Sequence, residues 1–144
     1  MTARFLMIRN EGSSTRWDAS RYLSYVQRNS ALLSEDLRSM VSEERFNPSS
    51  PSTWWRAGVT SIHIDVAGIR IEAKSDSGAR HFEFRYSGVR KIETLQRVYY
   101  MPCLVIQELL VLRNGLLRHT MSDLVGNVAT IHASAISFDE VTVQ

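Results

Sequence analysis

Across residues 61–86 apolar and polar side chains alternate in a way that predicts three antiparallel strands. With Ala67-Gly68 as a two-residue loop, Val66 faces Ile69, Ile64 faces Ile71 and Ile62 faces Ala73, while Asp65 meets Arg70 and His63 meets Glu72 on the other side. Closing the next hairpin through Ser75-Asp76-Ser77-Gly78 brings Phe82 to Ile71, Phe84 to Ile69, His81 to Glu72 and Glu83 to Arg70. The competing closure, with Ser77-Gly78 alone as the loop, sets Glu72 against Glu83 and Arg70 against Arg85. Directly opposed pairs contribute roughly 0.2–1 kcal/mol each and like charges count against the pairing, so charge favours the first register.

Upstream, Phe5 to Ile8 reads as a short strand, followed by a turn at Asn10-Glu11-Gly12-Ser13. A helical region is predicted from about Asp18 to Arg45. Asp18 suits an N-cap, and Tyr22, Val26, Leu33, Leu37 and Met40 fall at helical spacings. One long helix and a pair of helices broken near Asn29 to Ser34 both fit, since Ser34-Glu35-Asp36 reads as a fresh start. Residues 47–53, with Pro48 and Pro51, end the helical region and read as a surface connection.

Downstream the pattern is strands again. Ser87 to Tyr100 reads as either a short helix or an irregular strand, and Cys103 to Leu112 as a strong strand. Asn114-Gly115 supplies a hairpin loop and Gly126-Asn127 a further turn. In the last stretch the small apolar set Ile131, Ala133 and Ala135 changes parity to Ile136 and Phe138, as a bulge or bend would require. Leu104 to Leu112 is apolar on both faces and must be covered twice, either by the sheet curling on itself or by a second copy of the chain, and the second copy is the favoured reading. The fold class expected is α+β: an N-terminal helical region packed on a curved antiparallel sheet, a meander of about six strands over about 58–143, all within one domain spanning 1–144.

Composition changes this picture little. The 144 residues carry a net charge of +2, and the basic residues are interleaved with acidic ones from Arg4 to Arg45. A nucleic-acid surface gathers its basic charge on one face, so no nucleic-acid partner is expected. Cys103 is the sole cysteine, which excludes an internal disulfide and a cysteine-rich metal site. Pro102-Cys103-Leu104 brings no base to make that thiol a nucleophile. The first nine residues hold only four consecutive apolar positions, too few for a secretory or membrane segment, so a cytoplasmic location is expected.

Three groups of residues are candidates for chemistry. His63, Glu72 and His81 form one polar row in the register above and match the ligand types of zinc or non-haem iron. A flat sheet splays such side chains apart, and a solvated face carries rows of this kind without any metal. No metal or cofactor is expected. Glu108 lies among Leu104, Val105, Ile106, Leu109, Leu110 and Val111; with Asn114-Gly115 as the loop it faces Met121 and lies diagonal to His119. A buried carboxylate beside an imidazole could serve as an acid/base dyad, or simply as a polar anchor that fixes the register. Trp54-Trp55-Arg56 and Tyr99-Tyr100, beside proline-bearing connections, are candidates for a partner contact, since these residue types are enriched at interface centres. One member of each pair could equally seal the core.

In layout the element order resembles the helix-wrapped curved sheets of cystatin-like and nuclear-transport-factor-like architectures. The segment Glu108-Leu109, Asn114-Gly115-Leu116 and His119 resembles the C-terminal hairpin of small bacterial proteins, some of which neutralise toxins. The absence of catalytic motifs makes a homodimeric, non-enzymatic interaction protein the leading expectation, with an unidentified protein partner. A ligand-binding or enzymatic cone with Glu108 and His119 in its pocket is the alternative.

Overall fold

The computed structural model describes residues 7–11, 14–95, 106–123 and 127–143. Strands β1 (Met7–Glu11) and β2 (Ser14–Asp18) pair as a separate two-stranded sheet. Helix α1 (Ser20–Asn29), a 3-10 turn (Ser30–Leu32), α2 (Glu35–Met40) and a second 3-10 turn (Glu43–Phe46) follow. Six strands then form one open antiparallel sheet in the order β3-β4-β5-β8-β7-β6: β3 (Gly58–Asp65), β4 (Gly68–Lys74), β5 (Arg80–Glu93), β6 (Ile106–Val111), β7 (Leu117–Ser122) and β8 (Val128–Thr142). The α+β class holds, with two three-stranded meanders joined side by side through β5 and β8. Among the described residues no helix is long and apolar enough to cross a membrane.

The helical region takes the broken form. Leu33 is extended and Ser34 starts α2, and the two short helices bury Tyr22, Leu37 and Met40. Asp18 caps α1 from one position further out than an N-cap, accepting from the Ser20 N–H (3.2 Å) and hydroxyl (2.7 Å).

The helices also finish the sheet's edges. Strand β6 is a terminal strand, whose outward backbone groups would otherwise be a template for aggregation. The Tyr22 hydroxyl accepts from Leu109 N–H (2.7 Å) and donates to Leu109 O (2.7 Å), and the Tyr25 hydroxyl accepts from Val111 N–H (2.7 Å). Two tyrosines one helical turn apart, rings stacked at 6.0 Å, thus stand in for a missing strand. Asp36 of α2 does the same for the part of β8 that runs beyond its pairing with β7, accepting from Phe138 N–H at 2.7 Å.

All three hairpin registers differ from the sequence-based ones. In β3–β4 the loop is Val66-Ala67, so Ile64 opposes Ile69 and Ile62 opposes Ile71. Asp65 closes that turn by accepting from Ala67 N–H (2.8 Å). Gly68 is held at φ +141° where a Cβ would lie 2.0 Å from the Tyr86 carbonyl oxygen, so the glycine serves the contact with β5 and not the turn. Gly68→Ala is therefore expected to destabilise by about 1–3 kcal/mol through overpacking and strain, read as a lower urea midpoint at unchanged slope.

In β4–β5 the sheet adopts the register that charge disfavoured: Arg70 opposes Arg85 and Glu72 opposes Glu83. A slide of two residues preserves every face but moves Tyr86 opposite Ile69, where it is buried. Burying one large side chain stabilises by roughly 1.5–3 kcal/mol, more than the ~0.2–1 kcal/mol at stake in an exposed like-charge pair. In β6–β7 the loop has three residues, Arg113-Asn114-Gly115, with Gly115 at φ +84°. That one-residue slip reverses the faces.

The parity change read in β8 is present. Ser134 and Ala135 are consecutively exposed between buried Ala133 and Ile136, and Ser87 and Gly88 of β5 are exposed directly alongside them. The sheet bends there. Strand β6 needs no second copy as a cover: Leu110 and Leu109, on opposite faces, are both buried within one chain.

Candidate functional site

The buried centre of the sheet holds polar chemistry. His119 on β7 is fully buried between Phe84 and Tyr86, its ring centroid 5.2 and 5.8 Å from theirs. Its Nε2 lies 2.5 Å from Gln107 Oε1 and its Nδ1 2.6 Å from the Tyr86 hydroxyl. An amide oxygen only accepts, so Nε2 carries the proton and Nδ1 accepts from Tyr86. Burial holds the His119 pKa down to about 3 and pushes the Tyr86 phenol well above 10, so both stay neutral. The triad Tyr86–His119–Gln107 is a neutral relay that ties β5, β7 and β6 together.

Glu108 does not join it. With the reversed hairpin face, Glu108 opposes Thr120 while His119 opposes Leu109, so the carboxylate and the imidazole point to opposite sides of the sheet. Glu108 is fully buried, with Arg118 Nη2 at 3.8 Å. No Glu108/His119 dyad is assembled. His119 itself has no free ring nitrogen with which to move a substrate proton.

The aromatic candidates divide. Trp54 is a core residue with no exposure; its indole packs on Phe82 (4.7 Å), Phe84 (5.6 Å) and Phe138 (5.7 Å) and donates to Met40 O (3.1 Å). It is not available to a partner. Trp55 is half-buried, and Arg56 is exposed at φ 62°. Tyr99 and Tyr100 lie outside the described residues.

Beside Trp54 sits a residue that sequence reading passed over as one of many dispersed arginines. Arg45 is buried, its guanidinium 5.3 Å from the Trp54 ring centre and 5.0 Å from that of Phe138. It donates to Ser39 O (3.0 Å), Ser39 Oγ (3.0 Å), Ser52 O (3.3 Å) and Glu140 Oε2 (2.6 Å). Arg45 locks the second 3-10 turn onto β8.

His63, Glu72 and His81 do share the exposed face, as expected, but in three successive cross-strand rows. His63 opposes Arg70, Glu72 lies between Ser61 and Glu83, and His81 opposes Lys74. Among the described residues no group of three His, Cys, Asp or Glu side chains is placed to hold a metal.

The same register creates a different pattern. Across β3, β4, β5 and β8 one row reads His63, Arg70, Arg85, Ser137; the next reads Ser61, Glu72, Glu83, Asp139. A basic band thus runs beside an acidic one. Along the strands the bands are tied together: Arg85 Nε bonds Glu83, and Arg70 Nη1 lies 3.9 Å from Glu72. The Ser61 hydroxyl donated to Glu72 (2.6 Å), with Arg70 adding to it, holds that carboxyl below its ordinary range. The basic row lines an open cleft of about 530 Å³ whose walls are the β3–β4 tip (Asp65, Ala67, Gly68) and the bend at Ser87 and Ala135.

No protein-family model matches the chain, and comparison with curated proteins and with solved structures returned no match. The site must therefore be understood from its own chemistry. Arginine guanidinium groups present planar donors suited to carboxylates, and a row of them at strand spacing suits an acidic segment laid across the sheet.

Proposed function

We propose that this protein is a non-enzymatic, cytoplasmic interaction module, an accessory or regulatory partner that docks a protein on the charged outer face of β3, β4, β5 and β8. The observation that carries this reading is the basic row His63, Arg70, Arg85 lining a cleft on an exposed face. Chemistry has no comparable support: the buried imidazole is fully engaged, and the buried carboxylate faces away from it. The partner segment that fits is acidic and extended, and nucleic acid is disfavoured by the acidic row lying within about 7 Å of the basic one.

A short Glu-rich peptide titrated into labelled protein is expected to shift the backbone amides of His63, Arg70, Arg85 and Ser137. Affinity should fall steeply with added salt and disappear in Arg70→Gln/Arg85→Gln. Shifts confined to other surfaces, or unchanged binding by the double variant, would reject the docking face.

A further inference from the structure

The outer face carries its own complement. Its basic and acidic rows run parallel, adjacent strand by strand: Arg70 and Glu72 on β4, Arg85 and Glu83 on β5, Ser137 and Asp139 on β8. Consider a two-fold axis lying along the rows, midway between them and parallel to the surface. That rotation keeps the strand order and exchanges the rows. Arg70 of one copy then lies over Glu72 of the other, Arg85 over Glu83, and Ser137 over Asp139, each contact made twice. An axis along the strands would instead put like charges together. A two-fold contact must be self-complementary in this manner, and twisted sheets stack face to face at about 10 Å with a modest crossing angle.

We infer that the acidic partner of the basic row is the acidic row of a second copy of this chain. This rests on the docking face proposed above and names its occupant. The same face explains why the like-charge register is useful: the alternative register would have interleaved the signs within each row and left no band for another molecule to meet. The covered apolar strand β6 plays no part in it, because both faces of β6 are buried within one chain.

The patch is small. Four strands at about 4.8 Å and two to three rows at about 7 Å give roughly 300–400 Å² per copy, below the ~800 Å² of a standard stable interface. The dimer is thus weak, electrostatic and salt-sensitive. At about 0.01 M salt, where screening reaches only beyond ~30 Å, association should be at least tenfold tighter than at about 0.15 M.

Sedimentation equilibrium of the full chain at low ionic strength is expected to show mass rising toward a dimer with concentration, and reverting to monomer as salt is added. Arg70→Glu/Arg85→Glu makes both rows acidic and Glu72→Arg/Glu83→Arg makes both basic, so each variant alone should be monomeric. Mixed in equal amounts, they should dimerise again, because positions 70 and 85 of each copy then face positions 72 and 83 of the other with opposite charge. Circular dichroism and amide spectra establish that each variant is folded. Should a reversed variant fail to fold, Arg70→Gln/Arg85→Gln mixed with Glu72→Gln/Glu83→Gln provides the gentler form, restoring half of the contacts. A wild-type chain that stays monomeric in low salt yet still binds the Glu-rich peptide overturns the second-copy inference alone. Loss of both behaviours overturns the docking face as well. Dimers that survive either charge reversal, or a mixture that stays monomeric, would also overturn it.

Discussion

Glu140→Ala is expected to destabilise the fold by about 3 kcal/mol, because it leaves the Arg45 guanidinium buried without its counter-charge. The ion pair is short, at 2.6 Å, and the arginine side chain is 2% exposed against 17% for the glutamate. Breaking a buried pair by removing one partner typically costs about 3–5 kcal/mol, and the residual hydration of Glu140 places this case at the lower end. Arg45 retains its bonds to Ser39 and Ser52. It also retains the three aromatic faces around it, Trp54, Phe82 and Phe138. These interactions soften the loss without replacing a carboxylate. For a domain of this size the effect corresponds to a melting temperature lower by roughly 6–12 °C. Arg45→Met/Glu140→Leu, which removes both charges and keeps the volume, should recover most of the stability. If Glu140→Ala melts with the wild type, the pair is not what holds the second 3-10 turn to β8.

That pair also shows what the sequence could not convey. Alternation of apolar side chains assigns the faces of β3, β4 and β5 correctly, since a slip of two residues leaves every side chain on its own face. Register needs a finer criterion. Opposed charges are the weaker criterion: the core's demand for Tyr86 beside Ile69 outweighs two exposed like-charge pairs that find relief along their own strands. In β6–β7 the Asn-Gly signal located the turn but not its length, and one extra loop residue was enough to separate Glu108 from His119. Non-local contacts were still less legible. Arg45 and Glu140 are 95 residues apart, and Tyr22 reaches a backbone 87 residues away. Nothing in local pattern distinguishes Arg45 from its exposed neighbours. The doublet Trp54-Trp55 is similarly ambiguous, because which ring turns inward depends on the chain's direction out of the turn before it.

The charge rows follow from the same competition. Had charge pairing set the register, positive and negative side chains would have alternated across the strands and cancelled locally. Because the core set it, the sheet displays separated bands, and a face that is slightly unfavourable within one chain becomes complementary to another molecule. The docking proposal thus depends on a register imposed from the opposite side of the sheet.

Acid should destabilise this protein from about pH 6.5 downward, before its carboxylates begin to be neutralised, with His119 as one cause. The His119 pKa is held at about 3 by burial, against 6.5 for a free imidazole. Below about pH 6.5 the unfolded chain therefore takes up a proton at this site that the folded chain refuses, so folding is opposed increasingly as pH falls. The sign is that of a depressed pKa: the stability is complete above the unfolded value and is lost on the way down to the folded one. Each pH unit in that window costs about 1.4 kcal/mol, accumulating to on the order of 4 kcal/mol by about pH 3.5. Burial together with the nearby cations Arg118 and Lys91 depresses the His132 pKa as well, adding a contribution of the same sign from the other face. Urea unfolding at a series of pH values should show this slope in the wild type. His119→Gln should start lower at neutral pH, having lost the fit to Tyr86 and Gln107, but decline less steeply between about pH 6 and 4. Parallel curves for the two proteins, or an imidazole that titrates in the folded state near its free value, would mean that protons reach His119 without unfolding the core. The relay would then be open to water, and the case against proton chemistry at this site would have to be withdrawn.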